Sequence, residues 1–535
     1  MKISIVGLFS AIILSNLYAS SLVITSDVTV NTTWDADSII IDKEFFEVKE
    51  NARLTIASGV NIVFKKDISL ITVYGTISAI GKESDSIHIT RMNPQKTWQG
   101  IRLVSRDNAI KDLDSSYIEY CDLRNAMSSG SDKSYEQEGG VLHCGKGNFV
   151  ALKHCNISKV MGEFGGAIYV DSSASIQIEN CTFSSNKATF YGGGAITTSP
   201  QGASLLSIAN CRFQYNYART GGAIRIGKGS KAEINNCIFY NDTTHSINPV
   251  LNDLKGGALA IFGPADVTLR NCLIYHCRSY GKGGGIYSSD ASIKLINCTI
   301  ARNASVYGGG IYFARDSLAS SPLLINTIEG GNGRIPGVKL PRDSAGWGMF
   351  LDSSVTPIFQ YCHLSDTVYD YTIKPYQGEF IHSRYYETDF MFRALASKYP
   401  PTAVEAYQLS SNFAGNDLGI DGGTPDTTGL GLPEFDVLGQ KRINGSAIDI
   451  GAIEYNDSLL KVETIFRKLR PQHFNVQCLN GTVYSIDGRL IGQFTGDFVL
   501  PAFRSSTGIK ISRGLYIVRK NLTGGELRIE RVLVR

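Results

Sequence analysis

The hexapeptide RIPGVK places two basic side chains, Arg334 and Lys339, five residues apart with Pro336 and Gly337 between them. A basic group beside a carboxylate-bound calcium ion can remove a proton from an acidic sugar: the cation acidifies the proton and the base takes it. Separately, Asp171, Asp290 and Asp316 follow Tyr169, Tyr287 and Tyr312 at similar distances; such an Asp row could bind calcium, and the three tyrosine rings could present an aromatic face to a sugar. Each feature also has a plainer account, and for RIPGVK the plainer one is preferred: Pro336 and Gly337 would hold a simple turn. The tyrosines recur at one place in a repeat, so part of their row could be a structural stack. His143, His154 and His276 show no metal-ligand spacing and read as surface or turn residues. No metal site is assigned; calcium at the Asp row is the one cofactor considered, and no strict G-G-x-G-x-D calcium repeat is present.

These residues are carried by a repeat. Paired glycines fall at Gly139/Gly140, Gly165/Gly166, Gly193/Gly194, Gly221/Gly222, Gly256/Gly257, Gly284/Gly285 and Gly309/Gly310, at intervals of 26, 28, 28, 35, 28 and 25 residues. A period of this size marks a solenoid. Within each unit apolar residues alternate, as in Ile176-Gln177-Ile178 and Ile293-Lys294-Leu295, and no unit holds a ten-residue helical pattern. The expected fold is all-β: short strands stacked into long parallel sheets, coiled with the right hand usual for parallel crossovers. Paired glycines allow a sharp, close-packed turn. The Asn before Cys suits a bend with left-handed backbone angles, and successive amides could bond along the stack as a ladder. The 35-residue interval predicts a protruding loop near HSINPVLNDLK.

Cys155, Cys181, Cys211, Cys237, Cys272 and Cys298 occupy one place in this unit. Stacked equivalent side chains lie about 4.8 Å apart with nearly parallel Cα–Cβ bonds, which strains a disulfide dihedral, so a column of buried thiols is expected. Cys121 and Cys144 either extend the column or pair; Cys277, Cys362 and Cys478 have no assigned role.

Composition sets outer bounds. The 535 residues include 55 Gly, 26 Tyr and 24 Phe but only 15 Pro, and the formal charge is +3. That mixture suits a turn-rich all-β protein, and so small a charge argues against a nucleic-acid binder while leaving an acidic glycan open. The N-terminus MKISIVGLFSAIILSNLYASS has one Lys, an apolar run from Ile3 to Leu14 and small residues Ala19, Ser20 and Ser21 at a cleavage point, the pattern of a secretory signal peptide over residues 1–20. The run is too short for a membrane span, which needs about 20 residues.

The GGAI tetrapeptides (Gly165 to Ile168, Gly193 to Ile196, Gly221 to Ile224) and FxxN tetrapeptides (Phe183 to Asn186, Phe213 to Asn216) resemble the repeats of pectate-lyase-like right-handed parallel β-helix proteins, including the chlamydial polymorphic outer-membrane proteins, over about Gly139 to Phe313. Unlike those membrane proteins, this C-terminus does not read as a translocator barrel. Segments from Glu50 to Leu103 are similar to the opening rungs of secreted β-helices, with residues 22–45 expected to cap the open end. Of the devices that polysaccharide hydrolases on this fold use, Gly-His-Gly and adjacent Asp-Asp are absent; of those that the lyases use, RIPGVK is the nearest echo.

From about Ser317 the pattern loosens, with a short helix expected near Asp389 to Lys398. Asp436, Gly439, Arg442 and the run Asp449 to Tyr455 then resemble the D-x-x-G-x-x-R and D-I-G-A-x-E-Y ending of the choice-of-anchor Q group of bacterial β-helices. The Asp, Arg and Glu could be catalytic; a terminal cap in which Arg442 pairs with a carboxylate is preferred. Residues 460–535 read as a small antiparallel β-sandwich with turns at Asp487-Gly488 and Thr523-Gly524-Gly525. Tyr484 to Leu490 and Gly514 to Arg519 resemble elements of the type A C-terminal sorting domain of the type IX secretion system, with an immunoglobulin-type binding module as the competitor. The domain expectation is thus a signal peptide (1–20), a β-helix with its N-terminal cap and loop-rich closing segment (21–459) and a sorting domain (460–535).

These resemblances imply a monomer, secreted or on the outer surface of a Gram-negative bacterium, handled by type IX secretion machinery. Adhesion or glycan binding is the preferred role; a calcium-dependent polysaccharide lyase acting on an acidic glycan is the alternative. No nucleic-acid partner and no transmembrane span after signal removal are expected.

Overall fold

The computed structural model describes residues 20–455 apart from 67–68, 94, 106–114, 129–137, 245–253, 318–319, 336–347, 365–367, 370–375, 377, 386–418 and 444, and the strand backbones 478–485, 490–495, 514–522 and 527–534. Residues 1–455 and 456–535 form two separate units.

The larger unit is the expected coil. One rung runs from Ile168–Val170 through Ser175–Glu179 and Thr182–Ser184 to Lys187–Tyr191, and the chain then re-enters the first direction at Ile196–Thr198. Stacked rungs make four parallel sheets, here sheet II (Ile168–Val170 and its equivalents, 12 strands), sheet III (Ser175–Glu179, 13 strands), sheet I (Thr182–Ser184, 14 strands) and sheet IV (Lys187–Tyr191, 7 strands). Alternation sets the register, because a one-residue slip would turn each apolar side chain outward. Ile176 and Ile178 are buried between the more exposed Ser175, Gln177 and Glu179, and they pair with Leu206 and Ile208 of the next rung. Phe183, Phe213 and Phe239 stack inside with centroids 4.9 and 4.8 Å apart.

The second glycine of each pair needs clearance. A Cβ on Gly257 would lie 2.0 Å from the carbonyl oxygen of Gly284, and one on Gly284 would lie 2.0 Å from that of Gly309, so the rungs could not close at the sheet spacing. The register also moves two of the expected pairs by one residue. Leu259 pairs with Ile286 and Ile286 with Ile311, so Gly283/Gly284 and Gly308/Gly309 are the structural equivalents, and Gly285 and Gly310 take the place of Ala258.

Two expectations about the coil's extent change, and others fall outside the described residues. Residues 22–45 do not form a separate cap: Ser21–Ile24 is already the edge strand of sheet I, parallel to Ser38–Ile41, and Trp34 fills the end of the core against Phe46. The repeat also continues beyond Ser317, through Met349–Leu351, Ile358–Gln360 and Glu379–Ile381 to Arg384–Tyr385. The expected helix at Asp389 to Lys398 and most of the loop at HSINPVLNDLK lie outside the described residues, as does Ala19 at the signal cleavage point.

Among the described residues the smaller unit is one four-stranded antiparallel sheet, ordered Leu490–Thr495, Cys478–Ser485, Gly514–Leu522, Leu527–Val534. A second layer of the expected sandwich would fall outside them.

Candidate functional site

Besides the glycine turn, most rungs turn at two further corners through left-handed backbone. The first corner, between sheets III and I, holds Asn180, Asn210, Asn236, Asn271 and Asn297 at φ of 49–55°. Their amides form the expected ladder in two runs: Asn236 donates to Asn210 at 2.8 Å and Asn271 to Asn236 at 2.6 Å, while Asn326 donates to Asn297 at 3.0 Å. The next residue is the inward thiol. All ten described cysteines are free and buried. Cys211 Sγ donates to the Ala209 carbonyl at 3.1 Å, and Thr327 Oγ1, at the same place four rungs on, donates to Ile325 at 3.0 Å. Cys121 and Cys362 extend this column; Cys144 lies apart, in the sheet II strand Leu142–Cys144. Burial pushes the Cys144 thiol up to about 12.

The second corner, between sheets I and IV, sets a second amide ladder inside the core. Asn186 Nδ2 donates to Asn216 Oδ1 at 3.0 Å and Asn216 Nδ2 to Asp242 Oδ1 at 2.9 Å, and further along Asn303 donates to Asn332 at 3.0 Å. Cys277 occupies the rung between Asp242 and Asn303, which gives it a place in this ladder. Asp242 is fully buried, and burial pushes its carboxyl up to about 8.

The expected site residues do not converge on one centre. Tyr169, Tyr287 and Tyr312 point off the outer face of sheet II, yet they are only 5%, 1% and 3% exposed. They therefore do not present open faces to a sugar. Their column is His143, Tyr169, Thr197, Arg225, Ala260, Tyr287, Tyr312, Phe350, so three other residues separate Tyr169 from the Tyr287–Tyr312–Phe350 stack. Burial first, then the nearby carboxylates of Glu138, Asp316 and Asp352 respectively, raises the three phenols. His143 is a buried strand residue, 3.1 Å from Glu138, not a surface or turn residue; His154 and His276 do sit at left-handed corners.

Asp290 receives the backbone N–H groups of Asp316 (2.9 Å) and Ser317 (2.7 Å), and Asp316 accepts from Ser289 Oγ at 2.7 Å, so these two carboxylates brace a turn. Asp171 stands four rungs away. Among the described residues no three His, Cys, Asp or Glu side chains are grouped to hold an ion. Arg334 ends the last strand of sheet IV, Gly333–Arg334; Lys339 lies outside the described residues.

Covering the buried Tyr287 and Tyr312, and the partly exposed Tyr191, is a row of cations that the sequence reading passed over. Arg225 lies 4.5 Å from the Tyr191 ring centroid, Lys255 5.1 Å from Tyr287 and Lys282 4.6 Å from Tyr312. Such contacts hold a charge over an aromatic face. Phe190, 60% exposed, and Tyr191, 36% exposed with Arg225 over one face, continue this flank on sheet IV. The signal was available in the sequence: aromatic and basic residues cluster in the segment before each glycine pair.

The closing segment packs along the side of the coil and does not cover its end. Asn297 Nδ2 donates to the Asp449 carbonyl at 2.9 Å, Ala452 N donates to Thr299 Oγ1 at 2.9 Å, and Ile450, Ala452 and Ile453 pack with Leu273, Tyr275, Ala301 and Ile328. Arg442 and Glu454 form a buried pair at 3.3 Å, and Asp436 accepts N–H bonds from Leu438, Gln440 and Glu454. Burial pushes the Glu454 carboxyl up to about 8, against the pull of Arg442. With every carboxylate of the group turned to internal partners, the arrangement holds the segment together.

Among the described residues no helix is long and apolar enough to cross a membrane. The chain is 26% identical over 285 residues to "Probable autotransporter YfaL" of Escherichia coli (strain K12), covering 52% of this chain and 21% of that protein. It is 25% identical over 196 residues to "Metabotropic glutamate receptor-like protein R" of Dictyostelium discoideum, covering 36% of this chain and 11% of that one. The chain thus spans about a fifth or less of the length of these curated relatives. A family model described as "Right handed beta helix region" matches residues 80–247, 139–317 and 194–382, overlapping as a repeat would. With four coiled parallel sheets and more than half its length matched, the chain belongs to the right-handed β-helix family.

Proposed function

We propose that this chain is an exported, surface-associated shaft that works in adhesion by binding glycan along the sheet IV flank. The observation that carries this reading is the exposed Phe190 ring beside the partly exposed Tyr191, whose hydroxyl accepts from the Arg225 guanidinium at 2.7 Å. An exposed aromatic patch rimmed by polar groups marks an interaction site, and rings with fixed polar neighbours suit the mixed apolar and hydroxyl faces of a sugar. Likeness to a probable autotransporter supports the surface assignment. Binding of the purified full chain to a glycan panel is the test. Saturable binding that weakens in the Phe190→Ala/Tyr191→Ala variant is expected; a folded chain that binds no glycan would sink the reading.

The lyase alternative rests on Arg334 at the end of sheet IV, with Lys339 as its partner. Release of unsaturated uronates from pectate or alginate in the presence of calcium would favour it, and a flat absorbance trace would leave the flank a binding surface. In the same proposal the closing segment is a choice-of-anchor Q ending, carried by Asp436, Gly439 and Arg442 with the run Asp449 to Tyr455, and residues 460–535 act as a type IX sorting domain after removal of residues 1–20. Deleting residues 460–535 in the native host should leave the coil folded but retained in the periplasm. Surface display of that truncation would count against the sorting role.

A further inference from the structure

Charge is distributed differently on the two outward flanks of the coil. Along sheet III, opposite signs meet in register: Glu119 beside Lys153, Lys153 beside Glu179, and Lys231 beside Asp266. Along sheet IV every rung carries or adjoins a cation: Lys159, Lys187, Arg219, Lys255, Arg278 with Lys282, Arg302 and Arg334 in turn. In the described parts of those seven segments the acidic residues are Glu163 and the buried Asp242.

Two of the cations stand directly in line. Lys255 pairs in register with Lys282 across adjacent rungs. Like charges facing each other across neighbouring strands destabilise a sheet, and here the sheet II rings under Lys255 and Lys282 hold the two charges in line, where sheet III alternates its signs. Aromatic side chains interleave with the cations: Lys187 rests 5.2 Å from the Tyr217 ring centroid, and Tyr307 is the next in line after Lys282.

We infer that sheet IV is a docking strip for an extended acidic polysaccharide laid along the coil axis, its anionic groups meeting one cation per rung and its sugar faces lying on the rings between them. This rests on the glycan-binding reading above and gives it a ligand class. Rung spacing of about 4.8 Å sets the cations in a line that a chain with one charge per sugar unit can follow, whereas a compact anion would use only one or two of them. The small net charge of the whole chain agrees with a local strip: the excess is concentrated on one flank, where it raises the local potential.

The test uses the full chain with dextran sulfate and polygalacturonate as sulfate and carboxylate probes, dextran as the uncharged comparator and single-stranded DNA as the rival polyanion. Lys187→Gln/Lys255→Gln/Lys282→Gln removes three charges from the strip, and Lys228→Gln/Lys231→Gln/Lys294→Gln removes three from outside it. Expected is saturable, salt-sensitive binding of at least one acidic polysaccharide, about tenfold weaker in the strip variant and changed less than about twofold in the other. Equal losses in both variants would overturn the strip, as would DNA binding as tight as that of either acidic polysaccharide. Dextran bound as tightly as dextran sulfate would overturn the charge requirement while leaving glycan binding standing. No binding to any polysaccharide, with both variants shown folded by circular dichroism, would overturn this inference, and failure across the broader glycan panel would remove the reading beneath it.

Discussion

The two corners of each rung use the same backbone and opposite chemistry. At the corner entering sheet I, the left-handed residue is Asn in the successive rungs from Asn180 to Asn326, flanked by Tyr120, His154, Tyr361 and His382 in the outer rungs, and the residue after the Asn is a buried thiol or, at Thr327, a hydroxyl. At the corner entering sheet IV, the left-handed residues include Asn125, Lys159, Ser185, Tyr215, Asn241, His276 and Arg302, with φ of 54–58°, and the ladder asparagines Asn186, Asn216 and Asn303 come one place later, inside. Left-handed angles alone therefore do not select Asn. Asn recurs where an amide must both give and accept hydrogen bonds along the stack, and the inner ladder makes this demand away from water.

Removing an inner amide should separate the corners most. Asn216→Ala deletes the acceptor of the Asn186 amide and backbone N–H and the donor to Asp242 and to the Phe183 carbonyl. A loss of about 3 kcal/mol is expected, since several buried groups lose partners together. Chemical denaturation of the full chain would measure it, and a cost no larger than that of Asn236→Ala would dissolve the distinction.

Asp242→Asn should sharpen the comparison in the other direction. Asn at this place can give its amide to the Phe213 carbonyl, the position equivalent to the acceptors of Asn186 and Asn216, and it stays neutral without having to bind a proton. The buried carboxyl keeps its proton to about pH 8, while in the unfolded chain it ionises near its ordinary value of 3.8. Between those limits the folded state holds more protons, so stability falls as pH rises from about 4 to about 8 and then levels. The facing titratable group on the next rung is the Cys277 thiol, itself raised by burial. Asp242→Asn is expected to raise the melting midpoint at pH 7 and flatten its slope across that window; an unchanged slope would show that another group sets it.

Smaller effects are expected at the first corner. Cys211→Ala loses one buried donor, at about 1 kcal/mol, and Cys211→Thr should recover most of it because Thr327 already fills the same place. Asn236→Ala, on a partly exposed amide, is expected to cost about 1 kcal/mol or less, chiefly through the left-handed backbone that Ala disfavours. A larger loss from Asn236→Ala than from Cys211→Ala would show that the outer ladder does more than satisfy its own amides.

How far these features could be read in advance follows from their range. Gly pairs, the Asn-Cys dipeptide and alternating Ile residues repeat because each rung faces an identical neighbour, so local pattern and packing coincide, and the coil, the outer ladder and the thiol column were all legible. Its ends were not. Ser21–Ile24 and Met349–Leu351 pair with neighbouring rungs although their own segments lack the paired glycines, because backbone pairing does not require the motif. At the candidate site the tyrosines were seen but their burial was not: Lys255 and Lys282, which lie over Tyr287 and Tyr312, arrive from other rungs. Arg442 was matched to a carboxylate correctly, whereas its location on the coil's side depends on contacts with Asn297 and Thr299, some 150 residues away, that no local spacing encodes.

The buried thiols also impose an order of events. An unwound chain offers its cysteines to any oxidant and to one another, but each rung that closes carries its own thiol out of reach. A partly wound chain would thus protect the sulfur in its finished coils, wherever winding starts, and leave only the unwound remainder open to cross-linking.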